Sequence, residues 1–194
     1  MRLPHPLYRI YERRLTGSLD RSVIPRHVGI MLDGNRRWAR SVGTTAAHGH
    51  RMGADKITDF LTWAAEAKVE RVTLWMLSTD NLARDPDEVR DLLEIIARSV
   101  DALADDGRWR IRLVGALDLL PEDFASRLTA AVERNEAAGS GNLNVNIAVG
   151  YGGRHEITDA VRALLKEKAS NGFHLDEVAE TLTVDDIADH LYTA

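Results

Sequence analysis

The chain has 194 residues, of which 44% are hydrophobic and 28% charged, the balance of a globular domain with a sizeable core. Its formal net charge of -5 argues against a nucleic-acid partner, and the absence of cysteine excludes disulfides, thiolate nucleophiles and cysteine-based zinc sites. Because there is neither an apolar run long enough to span a bilayer nor a signal-peptide pattern, the sequence predicts a single cytoplasmic domain over residues 1–194.

The first predicted element is a short peripheral helix within residues 1–20. In the stretch Pro6–Leu15, apolar side chains such as Leu7 and Tyr11 share the helix with Arg9 and Arg13. The simpler interpretation is a helix docked on the domain, and the alternative is a weak contact with a membrane surface.

Four apolar runs predict β-strands, and the segments between them have helical spacing. Asp85 and Pro86 are typical of a helix start. Strands that alternate with helices of this length indicate an α/β protein with a parallel, Rossmann-like sheet covered on both faces. The predicted strands are Val28–Leu32, Val72–Leu77, Ile111–Val114 and Leu143–Val149. The predicted helices are Met52–Ala67, one beginning after Asp85, Pro121–Ala138 and Arg154–Lys168.

The first strand is followed directly by Asp33, Gly34, Asn35, Arg36 and Arg37. Backbone N–H groups at a glycine turn and a helix start can bind a phosphate, and the two arginines add charge. A carboxylate beside such an anion needs a divalent cation between them, since two bare anions repel. This strand end therefore predicts a diphosphate, Mg²⁺ and Asp33 as the metal ligand.

Two further strand ends carry small, polar and basic residues. They are the segments Ser78–Arg84 and Gly150–Arg154, and parallel sheets place ligands at the carboxyl ends of their strands. His50 precedes the predicted helix Met52–Ala67. The sequence favours His50 as a hydrogen-bond donor to a phosphate over a metal site formed with His48, because no third metal ligand lies nearby. The tryptophans and Tyr192 are interpreted as packing residues, with Trp38 and Trp63 as core anchors.

These segments resemble a known family. His27–Ala39, Ser78–Arg84 and Asn146–Arg154 are similar, in order and separation, to successive signature regions of the cis-prenyltransferases, the undecaprenyl diphosphate synthase-like enzymes. The resemblance covers nearly the whole chain from about His27 onward. It implies that an allylic diphosphate ionises, that isopentenyl diphosphate attacks the cation, and that loss of a proton gives a new cis double bond.

The resemblance also implies roles for individual residues. Asp33 matches the aspartate that handles Mg²⁺, and Asn81 matches an asparagine implicated in proton removal. The remaining matched positions are expected to bind substrate, and they are Gly34, Asn35, Arg36, Arg37, Trp38, His50, Ser78, Thr79, Asp80 and Arg84. The partners implied are an allylic diphosphate, isopentenyl diphosphate and a second copy of the chain in a homodimer.

The sequence departs from the family pattern at several positions. Arg36 stands where members often have glycine, Asp80 where they have glutamate and Leu82 where they have tryptophan. The arginine usual before His50 falls at Ala46, and Arg36 is the candidate replacement. The leucine in the second loop resembles short-chain actinobacterial members.

The largest departure is at the end. Family members continue with a strand and an Arg-x-Ser/Gly-Gly-Glu-x-Arg-x-Ser motif, which supplies the isopentenyl diphosphate site, a second metal carboxylate and much of the dimer contact. The sequence ends at Ala194 without them, so we expect the last strand or strands of the fold to be missing, either from a longer protein or from a truncated chain.

The carbocation needs an apolar cleft that excludes water. We expect walls formed by the second strand and the helix after Asp85, with Val72, Leu74 and Met76 facing Val89, Leu92 and Leu93. Met76 falls where long-chain relatives tend to carry a small residue, so the product should be short, about three isoprene units.

Three other functions compete with this one. They are a non-catalytic diphosphate-binding subunit, an enzyme of the same family that couples two allylic units, and a generic phosphate-binding α/β enzyme. The intact Asp33-Gly34-Asn35 run favours ordinary elongation, and the lack of a Gly-x-x-x-x-Gly-Lys-[Ser/Thr] run disfavours a nucleotide hydrolase.

Overall fold

The computed structural model describes residues 5–20, 22–139 and 141–192. Four strands are present in this part of the chain: β1 (His27–Met31), β2 (Arg71–Ser78), β3 (Trp109–Val114) and β4 (Leu143–Tyr151). The helices before β3 are α1 (His5–Ser18), α2 (Asn35–Ser41), α3 (Ala46–Ala54), α4 (Ile57–Glu66) and α5 (Pro86–Asp106). Those after it are α6 (Glu122–Ala137), α7 (Gly153–Ser170), α8 (Leu175–Thr181) and α9 (Val184–Ala188). Short 3₁₀ helices occupy Thr79–Ala83 and Leu117–Leu119.

The strands form one parallel sheet in the order β1-β2-β4-β3, which confirms the predicted α/β class. Val72 of β2 is in register with Val28 on one side and with Val145 of β4 on the other. Consecutive residues of β4 from Val145 to Val149 are all buried, so both faces of the sheet are covered at its centre. Strand β1, at one edge, alternates between exposed and half-buried residues.

Helix α5 supplies the largest apolar face against the sheet, and it starts as predicted. The Asp85 carboxylate accepts hydrogen bonds from the backbone N–H groups of Asp87 (3.0 Å) and Glu88 (3.2 Å), and Pro86 occupies the first turn. The helix ends at Gly107, whose φ of 70° is left-handed. The cap and the glycine thus define where the helix begins and ends.

The predicted helix Met52–Ala67 is wrong, because two helices occupy this region. Helix α3 begins earlier, where the Thr45 hydroxyl accepts from the His48 N–H, and places His50 inside a helix rather than before one. The chain then turns at Asp55 and Lys56 before α4 begins. Side-chain periodicity did not detect the turn, because it contains neither glycine nor proline.

Close packing of α3 on the start of α2 requires glycine at two positions. A Cβ atom at Gly49 would lie 2.4 Å from the Asn35 carbonyl oxygen, and one at Gly53 would lie 2.4 Å from the Asn35 side-chain oxygen. The two glycines therefore let α3 approach the loop that follows β1.

Two of the predicted packing residues are on the surface. Trp38 is 42% exposed, with its ring stacked on that of His48 at 5.9 Å, and Trp63 is 46% exposed. In α4 the buried face consists of Ile57, Leu61 and Ala64. Trp63 comes two positions after Leu61, so it lies on the other side of the helix. Trp109, by contrast, is buried as expected.

The N-terminal helix α1 covers the predicted stretch. Its described apolar side chains Ile10, Tyr11 and Leu15 are each at least half exposed. Contact of this helix with a membrane surface stays a prediction. Within the ranges that the structure describes, no helix is both long and apolar enough to cross a bilayer.

Asn135 of α6 is a buried polar side chain that ties three elements together. Its side-chain oxygen accepts from the Ile111 N–H of β3 at 3.1 Å, and its amide donates to the Ala104 carbonyl of α5 at 3.2 Å.

Replacing Asn135 by alanine leaves two buried backbone groups without partners, each costing about 1–3 kcal/mol. We expect Asn135→Ala to lower the free energy of unfolding by about 3 kcal/mol in urea titration. The control Asn171→Ala, at an exposed asparagine, should change it by less than about 1 kcal/mol.

Candidate active site

A cleft of about 460 Å³ opens at the carboxyl ends of β1 and β2. Its polar lining comes from the two predicted loops and α3, and comprises Asp33, Gly34, Asn35, Arg36, Arg37, Arg40, His50, Ser78, Asn81 and Arg84. Its apolar lining comprises Met31, Leu32, Ala54, Trp75, Met76, Leu92, Ile95 and Ile96. The cleft therefore joins a cationic mouth to an apolar interior.

The loop after β1 places a carboxylate at the mouth. Gly34 has a φ of 83°, and its N–H donates to Asp33 Oδ1 at 2.5 Å. Asp33 Oδ2 lies 3.5 Å from Arg37 Nη2, and the Asp33 side chain is 70% exposed. The Asn35 amide donates to the Leu32 carbonyl at 3.0 Å, which holds the loop against the end of β1. The Asp33 carboxylate is thus fixed in place but open to a ligand.

The loop after β2 is a 3₁₀ turn closed by its own side chains. The Asn81 side-chain oxygen accepts from the Ser78 N–H at 3.2 Å. Ser78, Asn81 and Arg84 line the cleft, whereas Thr79 and Asp80 are not among the described residues that line it, and neither is Trp38. Thr79 instead contacts the third loop, since a Cβ atom at Gly152 would lie 2.5 Å from its hydroxyl oxygen.

A carboxylate from outside the predicted loops lies between the arginines of the two loops. Glu88 Oε1, in the first turn of α5, is 3.2 Å from Arg84 Nη1 and 3.5 Å from Arg36 Nη1. The sequence analysis did not single out Glu88, because an acidic residue in the first turn of a helix is common and needs no ligand to explain it.

His50 carries an unpartnered buried atom. Its Nε2 has no hydrogen-bond partner among the described residues. Burial lowers the pKa of His50, the nearby Arg84 and Arg36 cations lower it further, and Glu88 opposes them. The lowered pKa favours the uncharged imidazole, and His50 is one of the residues that line the cleft.

The third predicted loop lies beside the cleft without lining it. The Tyr151 hydroxyl donates to Glu156 Oε2 at 2.5 Å, and its ring packs edge-on against Trp75 at 4.8 Å. Burial and the Glu156 carboxylate raise the pKa of Tyr151 to about 12. The segment Gly150–Arg154 is thus not among the described residues that line the cleft, unlike the first two strand ends, and a role for it in binding phosphate stays a prediction.

The apolar walls differ in part from those predicted. Met76 and Leu92 line the cleft, but Val72 and Leu74 are fully buried in the core. Val89 and Leu93 line a separate groove between α5 and α6. Each residue of α5 is rotated about 100° from the one before, so the face that meets the cleft also includes Ile95 and Ile96.

Comparison with protein families matches residues 30–194 to the family described as "Putative undecaprenyl diphosphate synthase". The chain is 55% identical over 192 residues to (2Z,6E)-farnesyl diphosphate synthase of Thermobifida fusca, covering 97% of this chain and 73% of that protein. It is 48% identical over 197 residues to (2Z,6E)-farnesyl diphosphate synthase of Mycobacterium tuberculosis H37Rv, covering 100% and 74%. It therefore spans about three quarters of the length of these relatives.

Solved structures show the same fold. Lavandulyl diphosphate synthase from Lavandula x intermedia, in complex with dimethylallyl diphosphate, is 26% identical with a TM-score of 0.78, covering 89% of this chain and 72% of that one. A probable undecaprenyl diphosphate synthase from Campylobacter jejuni, at 22% identity and a TM-score of 0.66, covers 87% and 69% and supports the fold alone. The match over residues 30–194, together with these identities, shows that the chain belongs to the undecaprenyl diphosphate synthase-like family of prenyltransferases.

Proposed function

We propose that this prenyltransferase condenses isopentenyl diphosphate with a short allylic diphosphate and releases a short Z-prenyl diphosphate of farnesyl length. The observation that carries the proposal is the polarity of this cleft, cationic at the strand ends and apolar towards Met76. Such a cleft fits a molecule with a diphosphate at one end and a hydrocarbon chain at the other. The names of the relatives, (2Z,6E)-farnesyl diphosphate synthases, support the product class.

In the proposed reaction the allylic C–O bond breaks and the electron pair leaves with the diphosphate. Arg36, Arg37 and Arg84, together with the His50 imidazole, would stabilise the charge that develops on the leaving group. The terminal alkene carbon of isopentenyl diphosphate then bonds to the allylic carbon, which leaves a cation on its methyl-bearing carbon. Loss of a proton from the carbon between that centre and the CH2–O–diphosphate group gives the new double bond. Asn81, which lines the cleft, is the proposed participant in proton removal.

Asp33 is the proposed residue for Mg²⁺. A magnesium ion in a phosphate site is commonly held by one or two carboxylates and by the substrate's own phosphate oxygens, and a single exposed carboxylate beside a cationic mouth fits that pattern. No cluster of three or more metal-ligating side chains occurs within the described ranges. When bound, the ion would supply charge neutralisation to the departing diphosphate.

The apolar interior has a separate role. The proposed allylic cation would react with any water that reaches it. The side chains of Leu92, Ile95 and Ile96 form one apolar wall of the cleft, from which the bound substrate would displace water. Met76 lies in the same interior and would limit the length of the chain.

The test is to incubate the protein with labelled isopentenyl diphosphate, Mg²⁺ and a panel of allylic starters, and to separate the dephosphorylated products. Farnesyl-length alcohols with a cis double bond are expected. A protein that binds allylic diphosphates but forms no product would support the alternative of a non-catalytic binding subunit.

Coupling of two allylic units is the second candidate function. The specific observation in its favour is the structural similarity to the lavandulyl diphosphate synthase complex, which contains an allylic diphosphate. Product formed from labelled dimethylallyl diphosphate without isopentenyl diphosphate would favour this reaction over elongation.

We also propose that the protein is a homodimer. Helix α7 presents Ile157, 53% exposed, and Leu165, 37% exposed, two turns apart on one face. Such a stripe is consistent with burial against a second copy. Light scattering should give twice the mass of the protomer, and a protomer-sized particle would contradict the proposal.

A further inference from the structure

Two arginines of the cationic mouth, from different loops, share the carboxylate of Glu88, which is not itself among the described residues that line the cleft. Arg36 follows β1 and Arg84 follows β2, and both approach the same oxygen, Oε1 of Glu88, at 3.5 Å and 3.2 Å. The side chains of Glu88 and Arg84 are each only 24% exposed. Their interaction is therefore less screened by water than that of a surface ion pair.

The backbone of Glu88 belongs to a longer and more deeply buried helix than that of Arg36. Its backbone N–H donates to the Asp85 carboxylate at 3.2 Å, and it belongs to the first turn of α5, a helix of 21 residues whose inner face is buried in the core. Arg36, by contrast, is 47% exposed at the start of the seven-residue α2. Of these two residues, Glu88 is thus the one anchored by the core of the protein.

The charges explain why such a carboxylate is needed. Two guanidinium groups that share one small site repel each other, and a long side chain such as that of Arg36 relieves the repulsion by moving into solvent. One shared carboxylate oxygen offsets the repulsion and engages one nitrogen of each arginine. Each guanidinium has five N–H donors, so the remaining donors are available to an anion in the cleft.

We propose that Glu88 is a positioning residue for diphosphate recognition, whose carboxylate holds Arg36 and Arg84 side by side so that both guanidinium groups bind the same diphosphate. The inference rests on the proposed function in that the diphosphate is the one carried by the allylic substrate. Glu88 acts through the arginines and does not contact the reacting atoms. Its loss should therefore weaken binding more than it slows the chemical step.

The test uses Glu88→Gln, which keeps the shape of the side chain and removes its charge. Calorimetric titration with inorganic diphosphate should show an affinity about tenfold lower than that of the parent, since a hydrogen bond to a charged group contributes about 1.5–3 kcal/mol. The KM for geranyl diphosphate should rise by a similar factor, while kcat falls less than about threefold. Thermal unfolding monitored by circular dichroism should give the same melting temperature for the variant and the parent, which shows that the fold is retained.

A double-mutant cycle isolates the proposed contact. In an Arg36→Ala background, the further change Glu88→Gln should lower diphosphate affinity by a smaller factor than in the parent, because only Arg84 is left for the carboxylate to position. The matched control is Asp87→Asn, which removes a charge from the same helical turn. Asp87 is 80% exposed and pairs with Arg90 outside the cleft, so this variant should bind diphosphate as the parent does.

Two results would overturn the inference. Tighter diphosphate binding by Glu88→Gln would show that the carboxylate competes with the ligand, and binding equal to that of Asp87→Asn would show that it positions nothing. Failure of the proposed function is a different result, in which the parent binds inorganic diphosphate but makes no prenyl product from any starter. A parent that binds no inorganic diphosphate contradicts both.

Discussion

Asp33→Ala should reduce prenyl transfer by about a thousandfold while leaving the fold intact. A factor of that size corresponds to about 4 kcal/mol of lost transition-state stabilisation, the range expected when a metal's carboxylate ligand is removed. The Asp33 side chain is 70% exposed, and its ion pair with Arg37 at 3.5 Å is a surface pair. Such pairs contribute about 0–1 kcal/mol to stability, so the melting temperature should stay close to that of the parent.

The measurement is the initial rate of label incorporation from isopentenyl diphosphate at saturating Mg²⁺. Asp59→Ala is a suitable control, because it also removes an exposed aspartate with a basic partner, Lys56 at 3.0 Å, but on α4 outside the cleft. The control should retain the parent rate. An Asp33→Ala rate within tenfold of the parent would remove Asp33 from the mechanism.

Met76→Ala should lengthen the product by one or more isoprene units. The Met76 side chain is 9% exposed and lies in the apolar part of the cleft with Leu92 and Ile96. A packed interior accepts extra methylene groups only at about 1–3 kcal/mol of strain, and this cost would stop elongation when the chain reaches the methionine. Truncation to alanine removes the obstruction, so further additions compete with product release.

Chromatography of the dephosphorylated alcohols measures the change in length. The variant should also lose about 2–5 kcal/mol of stability from the cavity it creates, so the assay belongs well below its melting temperature. Met52→Ala is the matched control, since Met52 is 38% exposed and is not among the residues that line the cleft. A parent that already makes C50 or longer chains would contradict the interpretation of Met76.

Much of the fold follows from local patterns in the sequence. The four apolar runs match the four observed strands to within about two residues, and the Asp85-Pro86 pair marks the start of α5. These features are local, because a buried strand needs a continuous apolar run and a helix start needs a cap. The break between α3 and α4 escaped detection, because a turn formed by Asp55 and Lys56 has no distinctive composition.

The candidate site was predictable to the extent that it depends on strand ends. In a parallel sheet all carboxyl ends meet at one edge, so the sequence alone predicts that Asp33 and Asn81 lie at the same edge of the sheet. Both residues line the cleft. The same rule does not say which loop turns into the cleft. The Gly150–Arg154 loop is not among the described residues that line the cleft, and its Tyr151 packs on Trp75 and donates to Glu156.

The sequence by itself thus determined the class of fold, the edge at which the site lies and the chemical character of its first two loops. Only the tertiary structure decided that Glu88 joins Arg36 to Arg84, that Ile95 and Ile96 rather than Val89 and Leu93 form the cleft wall, and that Trp38 and Trp63 are on the surface. The physical reason is that hydrophobic periodicity gives the apolar face of each element separately. The rotation and spacing of one element against another result from packing of the whole core, which residues distant in the sequence determine together.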